Sequence, residues 1–291
     1  MSPTRLQIAR KDILDIFENL PVRVFRKKEM EQILAANRAS WRVTEGTPTN
    51  EFIEFLIKSR KLRRVTFTFP GRKEVRYVWK KASDFEVIQS LRPDGYFSHY
   101  TAVFLHNLTL QVPKTVYLNS EQTPKRTGDA ELTQERIDLA FSRSCRVSKA
   151  GTRFKYLRVL VLNGMYTGQK GVIELEGDRG EKLRTTDIER TLIDITVRPI
   201  YSGGVHEVLH AYRSAADRVS VNRLTALLSK LGYIYPYHQA IGFYLERAGS
   251  YRDAQVTLLE RIEMNFDFYL THQMKETEYS PRWRLYYPKG L

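Results

Sequence analysis

Hydrophobic residues near the start of the chain recur first at helical spacing and then at every second position. The segments with the helical period are residues 5–20, Lys27–Ala36 and Pro48–Arg60. Pro21 ends the first segment, while Thr47 as N-cap and Pro48 as first helical residue favour a helix start for the third. The residues between the second and third segments have no regular period. The pattern therefore predicts three helices, with a long connection before the third.

Two runs of alternating residues follow the third segment. Their apolar members are Val65, Phe67, Phe69, Val75, Tyr77 and Trp79. Residues 70–73, with the sequence Pro-Gly-Arg-Lys, are a turn signal between the runs, so the pattern predicts a β-hairpin. Three helices followed by a hairpin is the element order of a winged helix-turn-helix domain. We assign residues 1–83 to such a domain.

The remaining residues, 84–291, predict a larger mixed α/β domain. Asp84–Leu91 is expected to be a linker, and residues 112–185 are expected to be rich in β-structure. The segments expected to be strands are Thr115–Asn119, Arg136–Phe141, Phe154–Leu162 and Val172–Leu175. The fold class predicted for the whole chain is α+β.

Residues 186–271 have a helical period. Thr186 and Glu189 have the spacing of a capping box, which would open a helix that ends before Pro199. Further helices are expected at Val205–Ala216, Val221–Leu231, Pro236–Ala248 and Asp253–Leu270. The second domain is therefore expected to have a helical C-terminal half.

The composition is that of an ordinary globular chain, with 42% hydrophobic and 27% charged residues. Neither a membrane-spanning run nor a signal peptide is visible, so we expect a soluble, cytoplasmic protein without a membrane partner. Cys145 is the one cysteine, which excludes an intramolecular disulfide and a zinc site built on thiolates.

Charge changes this picture, because the formal net charge is +14 and most of the excess lies near the start. Residues 1–81 hold 19 Lys and Arg against 9 Asp and Glu. The densest part is Lys58–Lys81, with ten basic residues and one acid. We expect double-stranded DNA as the partner; the alternative is a solvated basic face on a small interaction domain.

The candidate DNA contacts are of two kinds. Short polar side chains at the start of the third helix would meet base edges, and basic residues in the connection and hairpin would meet phosphates. They are Arg38, Arg42, Thr47, Thr49, Asn50, Lys58, Lys61, Arg63, Arg64, Arg72, Lys73 and Arg76. Alternation in the hairpin is expected to turn the apolar side chains inward and the cations outward.

Two longer strings in the second domain resemble the AbiEi family of antitoxins, which belong to abortive-infection, type IV toxin–antitoxin systems. The strings are TDIERTLID at Thr186–Asp194 and RPIYSGGVHEVLHAY at Arg198–Tyr212. Gly95–Ala102, Ala240–Glu246 and Trp283–Leu285 also fall in the order of that family. The similarity spans nearly the whole chain.

The resemblance implies an antitoxin that represses its own operon. The winged helix would bind inverted repeats in the promoter, and the second domain would oppose a nucleotidyltransferase-like toxin in phage defence. Direct contact with the toxin is not implied for every member. Arg190 and Asp194 lie in the most recognisable string and are expected to form an ion pair on a helix face. We take them as candidate antitoxicity residues.

Enzymatic alternatives rest on isolated matches. His206, Glu207 and His210 form an H-E-x-x-H string typical of zinc hydrolases, but the third ligand of the extended pattern is missing. Glu174 and Glu176 share a strand face, as paired carboxylates of a metal-dependent nuclease would. We predict that the protein is not an enzyme, with no catalytic residue, metal or cofactor; a DNA-processing enzyme remains the alternative.

Cys145 is a further isolated candidate, because Arg143 and Arg146 flank it and could lower the pKa of its thiol. The sequence places no histidine beside it, so the cysteine is expected to be incidental.

Overall fold

The structure is a computed structural model that describes residues 3–124 and 131–291. The fold is mixed α+β, and the chain divides into two units. Unit 1 consists of Met1–Pro93, Thr152–Phe154 and Glu176–Leu183, and unit 2 consists of Asp94–Gly151, Lys155–Leu175 and Arg184–Leu291. None of the helices formed by the described residues is long and apolar enough to cross a bilayer.

The first part of unit 1 has the expected order of three helical segments and a hairpin. Its elements are α1 (Arg5–Ile8), α2 (Arg10–Asn19), β1 (Val24–Phe25), α3 (Lys27–Asn37), α4 (Thr49–Lys58), β2 (Leu62–Phe69), β3 (Arg72–Trp79) and α5 (Asp84–Gln89). The first predicted helix is interrupted at Ala9, which separates α1 from α2. The expected N-cap Thr47 is wrong, because Pro48 holds that position and α4 begins at Thr49.

The sheet of unit 1 has the strand order β1-β3-β2, and all pairs are antiparallel. One face of the hairpin packs on the helices, where the rings of Trp79 and Phe17 stack with centroids 4.8 Å apart. Phe52 of α4 lies 6.1 Å from the same Phe17 ring. Aromatic packing thus fixes the hairpin against α2 and α4.

The other face of the hairpin is also covered, which alternation alone did not predict. Val65, Phe67 and Phe69 are buried there, and the Phe67 ring lies 5.4 Å from that of Phe154. The segment expected to be a linker is instead the helix α5, and Val87 and Ile88 within it are fully buried. The linker prediction is therefore wrong, because this segment supplies apolar side chains to the core.

The other elements lie in unit 2, apart from the portions of β6, β8 and β9 that the ranges above assign to unit 1. They are β4 (Tyr96–Phe97), α6 (His99–Leu105), β5 (Thr115–Glu121), α7 (Gln134–Ser142), β6 (Gly151–Phe154), β7 (Leu157–Gly164), β8 (Val172–Glu176), β9 (Lys182–Thr186), α8 (Ile188–Val197), a 3-10 turn (Pro199–Tyr201), α9 (Val205–Ala215), α10 (Val221–Leu231), α11 (Tyr237–Ala248), α12 (Asp253–Glu260), β10 (Phe268–Tyr269), β11 (Thr277–Ser280) and β12 (Leu285–Pro288). The central strands of the larger sheet run in the order β7-β5-β4-β9.

Several secondary-structure predictions for unit 2 are wrong. Arg136–Phe141 is not a strand but part of α7, because Ile137 and Phe141 are buried four residues apart and Thr133 caps the helix. The expected strand Phe154–Leu162 is broken between β6 and β7. The last predicted helix ends at Glu260, after which β10 begins the small sheet β10-β12-β11.

Helix α8 lies at the centre of unit 2, since every residue from Glu189 to Thr196 is buried. The expected capping box at Thr186 is wrong. Asp187 is the N-cap, and its carboxylate accepts a hydrogen bond from the amide of Arg190 at 2.7 Å. The Thr186 hydroxyl instead contacts that of Thr191, at 2.8 Å.

Candidate nucleic-acid interface

The connection between α3 and α4 is ordered by its own side chains. Trp41 and Val43 are buried in the core of unit 1, while Arg42 between them is exposed in a left-handed conformation with φ 50°. Arg38 donates hydrogen bonds to the main-chain oxygens of Thr44, at 2.5 Å, and Thr47, at 2.8 Å. Arg38 therefore holds the connection in place, and two of its donors are committed to that task.

The start of α4 presents polar groups. Asn50 is exposed and Thr49 is half-buried, and no side chain caps the first turn. Uncapped amides at a helix N-terminus attract anionic acceptors such as phosphate oxygens. Thr47 is half-buried, with its hydroxyl 3.0 Å from that of Thr44. Of the three side chains expected to contact bases, Asn50 is thus the most exposed.

The hairpin face that packs on the helices extends beyond them toward the turn. The register places Arg64, Thr66, Thr68 and Lys73 on this face, and all four side chains are exposed. Arg64 forms an ion pair with Glu54 of α4 at 2.5 Å. Such an exposed pair contributes about 0–1 kcal/mol to stability. A phosphate can therefore compete with Glu54 for this guanidinium.

Arg72 lies at the turn of the hairpin. Its guanidinium stands 4.8 Å from the centre of the Phe69 ring, and its Nε lies 3.1 Å from a Glu74 oxygen. The Arg72 side chain is still half exposed, at 51%. The stacking on Phe69 orders the cation without removing it from solvent.

Arg76 does not lie on the outer surface, so its prediction as a phosphate ligand is wrong. Its side chain is 6% exposed, and its guanidinium pairs with Glu74 at 3.0 Å. It also donates to the main-chain oxygen of Ser90 at 3.1 Å. Burial alone would raise the pKa of Glu74, but hydrogen bonds and charges from Arg72, Arg92 and Arg76 outweigh it and lower that pKa. Arg76 is a structural cation that joins the hairpin to the end of α5.

A basic groove that the sequence did not single out lies beyond the C-terminal end of α4. It has a volume of about 710 Å³ and is lined by Arg23, Ser59, Arg60, Lys61, Lys80 and Lys81. Left-handed residues shape it, because φ is 56° at Arg60 and 48° at Lys80. The amide of Lys80 donates to the oxygen of Lys61 at 2.9 Å, which closes the base of the hairpin.

Lys61 is the one earlier candidate in this basic groove. Lys58, in the last turn of α4, is exposed, and Arg63 is half-buried on the hairpin face that carries Val65. Glu18 lies beside the groove, and its hydrogen bond with Lys80 is the main cause of its lowered pKa. The run of basic residues indicated cations in this part of the chain. No sequence pattern predicted the left-handed backbone at Arg60 and Lys80, which brings these cations to one groove.

Arg190 and Asp194 do form an ion pair, with Nε and Oδ1 2.7 Å apart. The pair is not on an exposed helix face, since the two side chains are 4% and 6% exposed. Arg190 also donates to the oxygen of Lys170 at 2.7 Å and to the Thr167 hydroxyl at 3.2 Å. Burial alone would lower the pKa of Arg190, but the charge of Asp194 outweighs it and raises that pKa.

A second acid extends this buried network. Tyr96 donates its hydroxyl proton to Glu121 at 2.9 Å, and burial raises the pKa of that tyrosine. Glu121 also accepts hydrogen bonds from the amides of Thr167, at 2.9 Å, and Gln169, at 3.2 Å. The network therefore ties the loop after β7 to α8 and to the sheet.

The residues of the enzymatic alternatives are not gathered into a site. His206 and His210 are exposed on α9, and Glu207 accepts hydrogen bonds from Tyr100 and Gln111, each at 3.3 Å. Glu174 and Glu176 are exposed on β8. Within residues 3–124 and 131–291, no three His, Cys, Asp or Glu side chains lie close enough together to hold a metal ion.

Cys145 contacts partners other than the arginines that flank it in sequence. Arg198 Nη1 lies 2.8 Å from its sulfur. Burial alone would raise the pKa of the Cys145 thiol, but the hydrogen bond with His272 and the charge of Arg198 lower it. His272 is more than a hundred positions away in sequence, so no local pattern could reveal this contact.

Comparisons with known proteins relate this architecture to a solved structure. No family model and no curated protein matches the chain. The structure is similar to that of the RV2827C protein from Mycobacterium tuberculosis, with a TM-score of 0.59 and 15% identity over 99% of this chain and 92% of that one. At this identity the likeness concerns the fold alone. The chain shares a mixed α+β fold with that protein over nearly its whole length.

Proposed function

We propose that unit 1 is a winged helix-turn-helix domain that binds double-stranded DNA. Its three helical segments, its hairpin and the sheet order β1-β3-β2 support this interpretation. The observation that carries the proposal is the exposed polar and basic surface of α4 and the hairpin. This surface includes Asn50, Arg64 and Lys73, and Arg72 lies beside it at the turn of the hairpin.

The geometry supports base contacts at the start of α4 and phosphate contacts elsewhere on unit 1. Asn50 and the uncapped amides of the first turn would enter the major groove, where an amide side chain can bond adenine in a bidentate manner. Lys73 and Arg72 would contact the phosphates along the hairpin, and Arg42 those beside the connection. The basic groove at the other end of α4 would hold a further phosphate.

We propose that this DNA lies in the operator of the protein's own operon and contains inverted repeats. The further proposed role is that of an antitoxin, with unit 2 opposing a nucleotidyltransferase-like toxin. Support for this role comes from the resemblance of Thr186–Asp194 and Arg198–Tyr212 to AbiEi antitoxins. Arg190 and Asp194 would serve that role by holding α8 and the loop after β7 together, since both side chains are buried.

DNA binding is tested with the full-length protein and the DNA upstream of its own gene. Fluorescence anisotropy should show tighter binding to that DNA than to a shuffled duplex of equal composition. Lys73→Ala should weaken binding to both duplexes similarly, whereas Asn50→Ala should reduce the preference. Lys230→Ala is the matched control, because this lysine lies in the last turn of α10 in unit 2. Equal affinity for both duplexes would contradict sequence-specific repression.

The antitoxin role is tested by co-expression with the toxin gene of the same operon. The wild-type chain should restore growth, and the double variant Arg72→Ala/Lys73→Ala should restore it equally while releasing repression of a promoter reporter. A wild-type chain that fails to restore growth would contradict the antitoxin role but leave the DNA-binding proposal standing.

A further inference from the structure

Unit 2 contains a cleft of about 850 Å³ to which the proposed function assigns no ligand. Tyrosines supply much of its wall, together with a histidine. These rings belong to His99, Tyr166, Tyr201, Tyr233, Tyr235 and Tyr237, and we call the cavity the tyrosine cleft. Its volume is within the range of small-ligand sites, about 300–1,000 Å³. Tyr166 is 51% exposed, so part of this aromatic wall is open to solvent.

One face of α8 and its C-terminal end supply the charged part of the wall. Arg190, Asp194 and Arg198 follow one another at four-residue spacing and all line the cleft. The charges of Arg190 and Asp194 compensate each other in their ion pair. Arg198 and the exposed Arg146 add positive charge, and Asp194 is the one acid among the described lining residues. The cleft therefore favours an anion.

His99 occupies a strained position in this wall. Its φ is 52°, in the left-handed region that a residue with a side chain seldom adopts. Its Nδ1 lies 2.9 Å from the Ser98 hydroxyl, and its ring packs edge-on against Tyr201 at 5.3 Å. Burial lowers the pKa of His99 to about 4, so the ring is neutral at pH 7. The strained backbone thus directs a neutral aromatic ring to the cleft.

Flat rings and arginines together select for a ligand with an aromatic part and an anionic part. Aromatic side chains stack on nucleobases, and arginine guanidinium groups bind phosphate oxygens through paired, charge-assisted hydrogen bonds. We propose that the tyrosine cleft binds a nucleoside phosphate, with the base against the tyrosines and the phosphates at Arg146 and Arg198. This binding goes beyond the proposed function and does not depend on DNA binding by unit 1.

The proposal is tested by calorimetry on the full-length protein with ATP, GTP, CTP and UTP at physiological salt. At least one nucleotide should bind saturably with one site per chain. The corresponding nucleoside and inorganic pyrophosphate should each bind at least about tenfold more weakly, because each lacks one of the two recognised parts. If pyrophosphate bound as tightly as the nucleotide, binding would reflect only the non-specific attraction of anions to a basic chain. That result would overturn the proposal.

Variants locate the ligand. Arg146→Ala/Arg198→Ala should weaken nucleotide binding at least about tenfold, because the phosphates would lose the charged hydrogen bonds that the two guanidinium groups donate. Tyr166→Ala, a change at an exposed ring, should weaken it without affecting the fold. Arg213→Ala, on the exposed face of α9, is the matched control and should leave the affinity unchanged.

Measuring the affinity of the variants for operator DNA distinguishes the nucleotide proposal from the DNA-binding proposal. The cleft variants should retain DNA binding, and Lys73→Ala should retain nucleotide binding. The absence of saturable binding by all four nucleotides up to millimolar concentration would overturn the nucleotide proposal. Unchanged affinity in both Tyr166→Ala and the double arginine variant would also overturn it.

Discussion

Arg38 Nη2 donates a hydrogen bond to the main-chain oxygen of Thr47 at 2.8 Å and so ties the end of α3 to the residue before Pro48. A second bond, to the oxygen of Thr44, closes the same connection. The long connection is thus an ordered part of the proposed DNA-binding surface, and it presents Arg42 and the start of α4. The basic charge of Arg38 predicted a phosphate ligand, whereas in the structure its side chain positions the residues of the connection.

Replacing Arg38 with alanine should weaken operator binding by loosening this connection. Arg38→Lys should restore the charge without the planar fork that reaches two carbonyl oxygens, so it should rescue binding poorly. Hydrogen exchange of residues 42–50 checks the cause and should be faster in both variants. Unchanged exchange in Arg38→Ala would contradict the positioning role.

Lys73 and Arg76 are close in sequence but should behave differently when replaced. Lys73→Ala should lower DNA affinity with little change in stability, because this side chain is exposed. Arg76→Ala should destabilise the protein by about 2–4 kcal/mol, because it removes buried bonds to Glu74 and Ser90. Urea denaturation and DNA titration of both variants separate the two effects. Equal stability of both variants would contradict the buried role of Arg76.

The ion pair of Arg190 and Asp194 should contribute to folding rather than act as an exposed contact. Asp194→Ala leaves a buried guanidinium without its carboxylate and should cost about 3–5 kcal/mol of unfolding free energy. Arg223→Ala is the control, because this 68% exposed arginine pairs with Asp187 at 3.4 Å and should cost at most about 1 kcal/mol. Similar unfolding free energies for the two variants would contradict the burial of the pair.

Cys145 should react with iodoacetamide faster at neutral pH than an ordinary thiol does. Because the pKa of the Cys145 thiol is lowered, a larger fraction of it is thiolate at pH values below the usual thiol pKa of about 8.5. The thiolate is the form that reacts. His272→Ala removes one stabilising partner and should move the midpoint of the rate–pH profile upward. A wild-type midpoint at or above that of a free thiol would rule out this arrangement.

Much of unit 1 could be predicted because its signals are local. The helical period from Lys27 and the alternation from Val65 gave α3 and the hairpin close to their observed bounds. The interior position of Arg76 could not be predicted, because it depends on the main-chain oxygens of Ser90 and Leu91, which follow α5 and accept hydrogen bonds from its guanidinium. Alternation predicts one buried face, whereas this hairpin buries side chains on both faces and exposes one of them only toward the turn.

Unit 2 shows the same limit of local patterns. Val221–Leu231 forms a helix at the predicted bounds, with Ser220 as N-cap and left-handed Gly232 as C-cap. The four-residue spacing of Arg190 and Asp194 predicted their ion pair, but it carried no sign that α8 is buried from Glu189 to Thr196. Tyr233, Tyr235 and Tyr237 lie at alternate positions of one segment, but His99, Tyr166 and Tyr201 come from other parts of the chain. No sequence spacing could therefore bring all of these rings together.

The salt dependence of operator binding tests the DNA-binding account most directly. If six to nine cations of unit 1 meet phosphates, a plot of log affinity against log salt should have a slope of about −5 to −8. Arg72→Ala and Lys73→Ala should each make the slope shallower by about one. A slope near zero, or one that neither variant changes, would contradict binding of DNA by this surface.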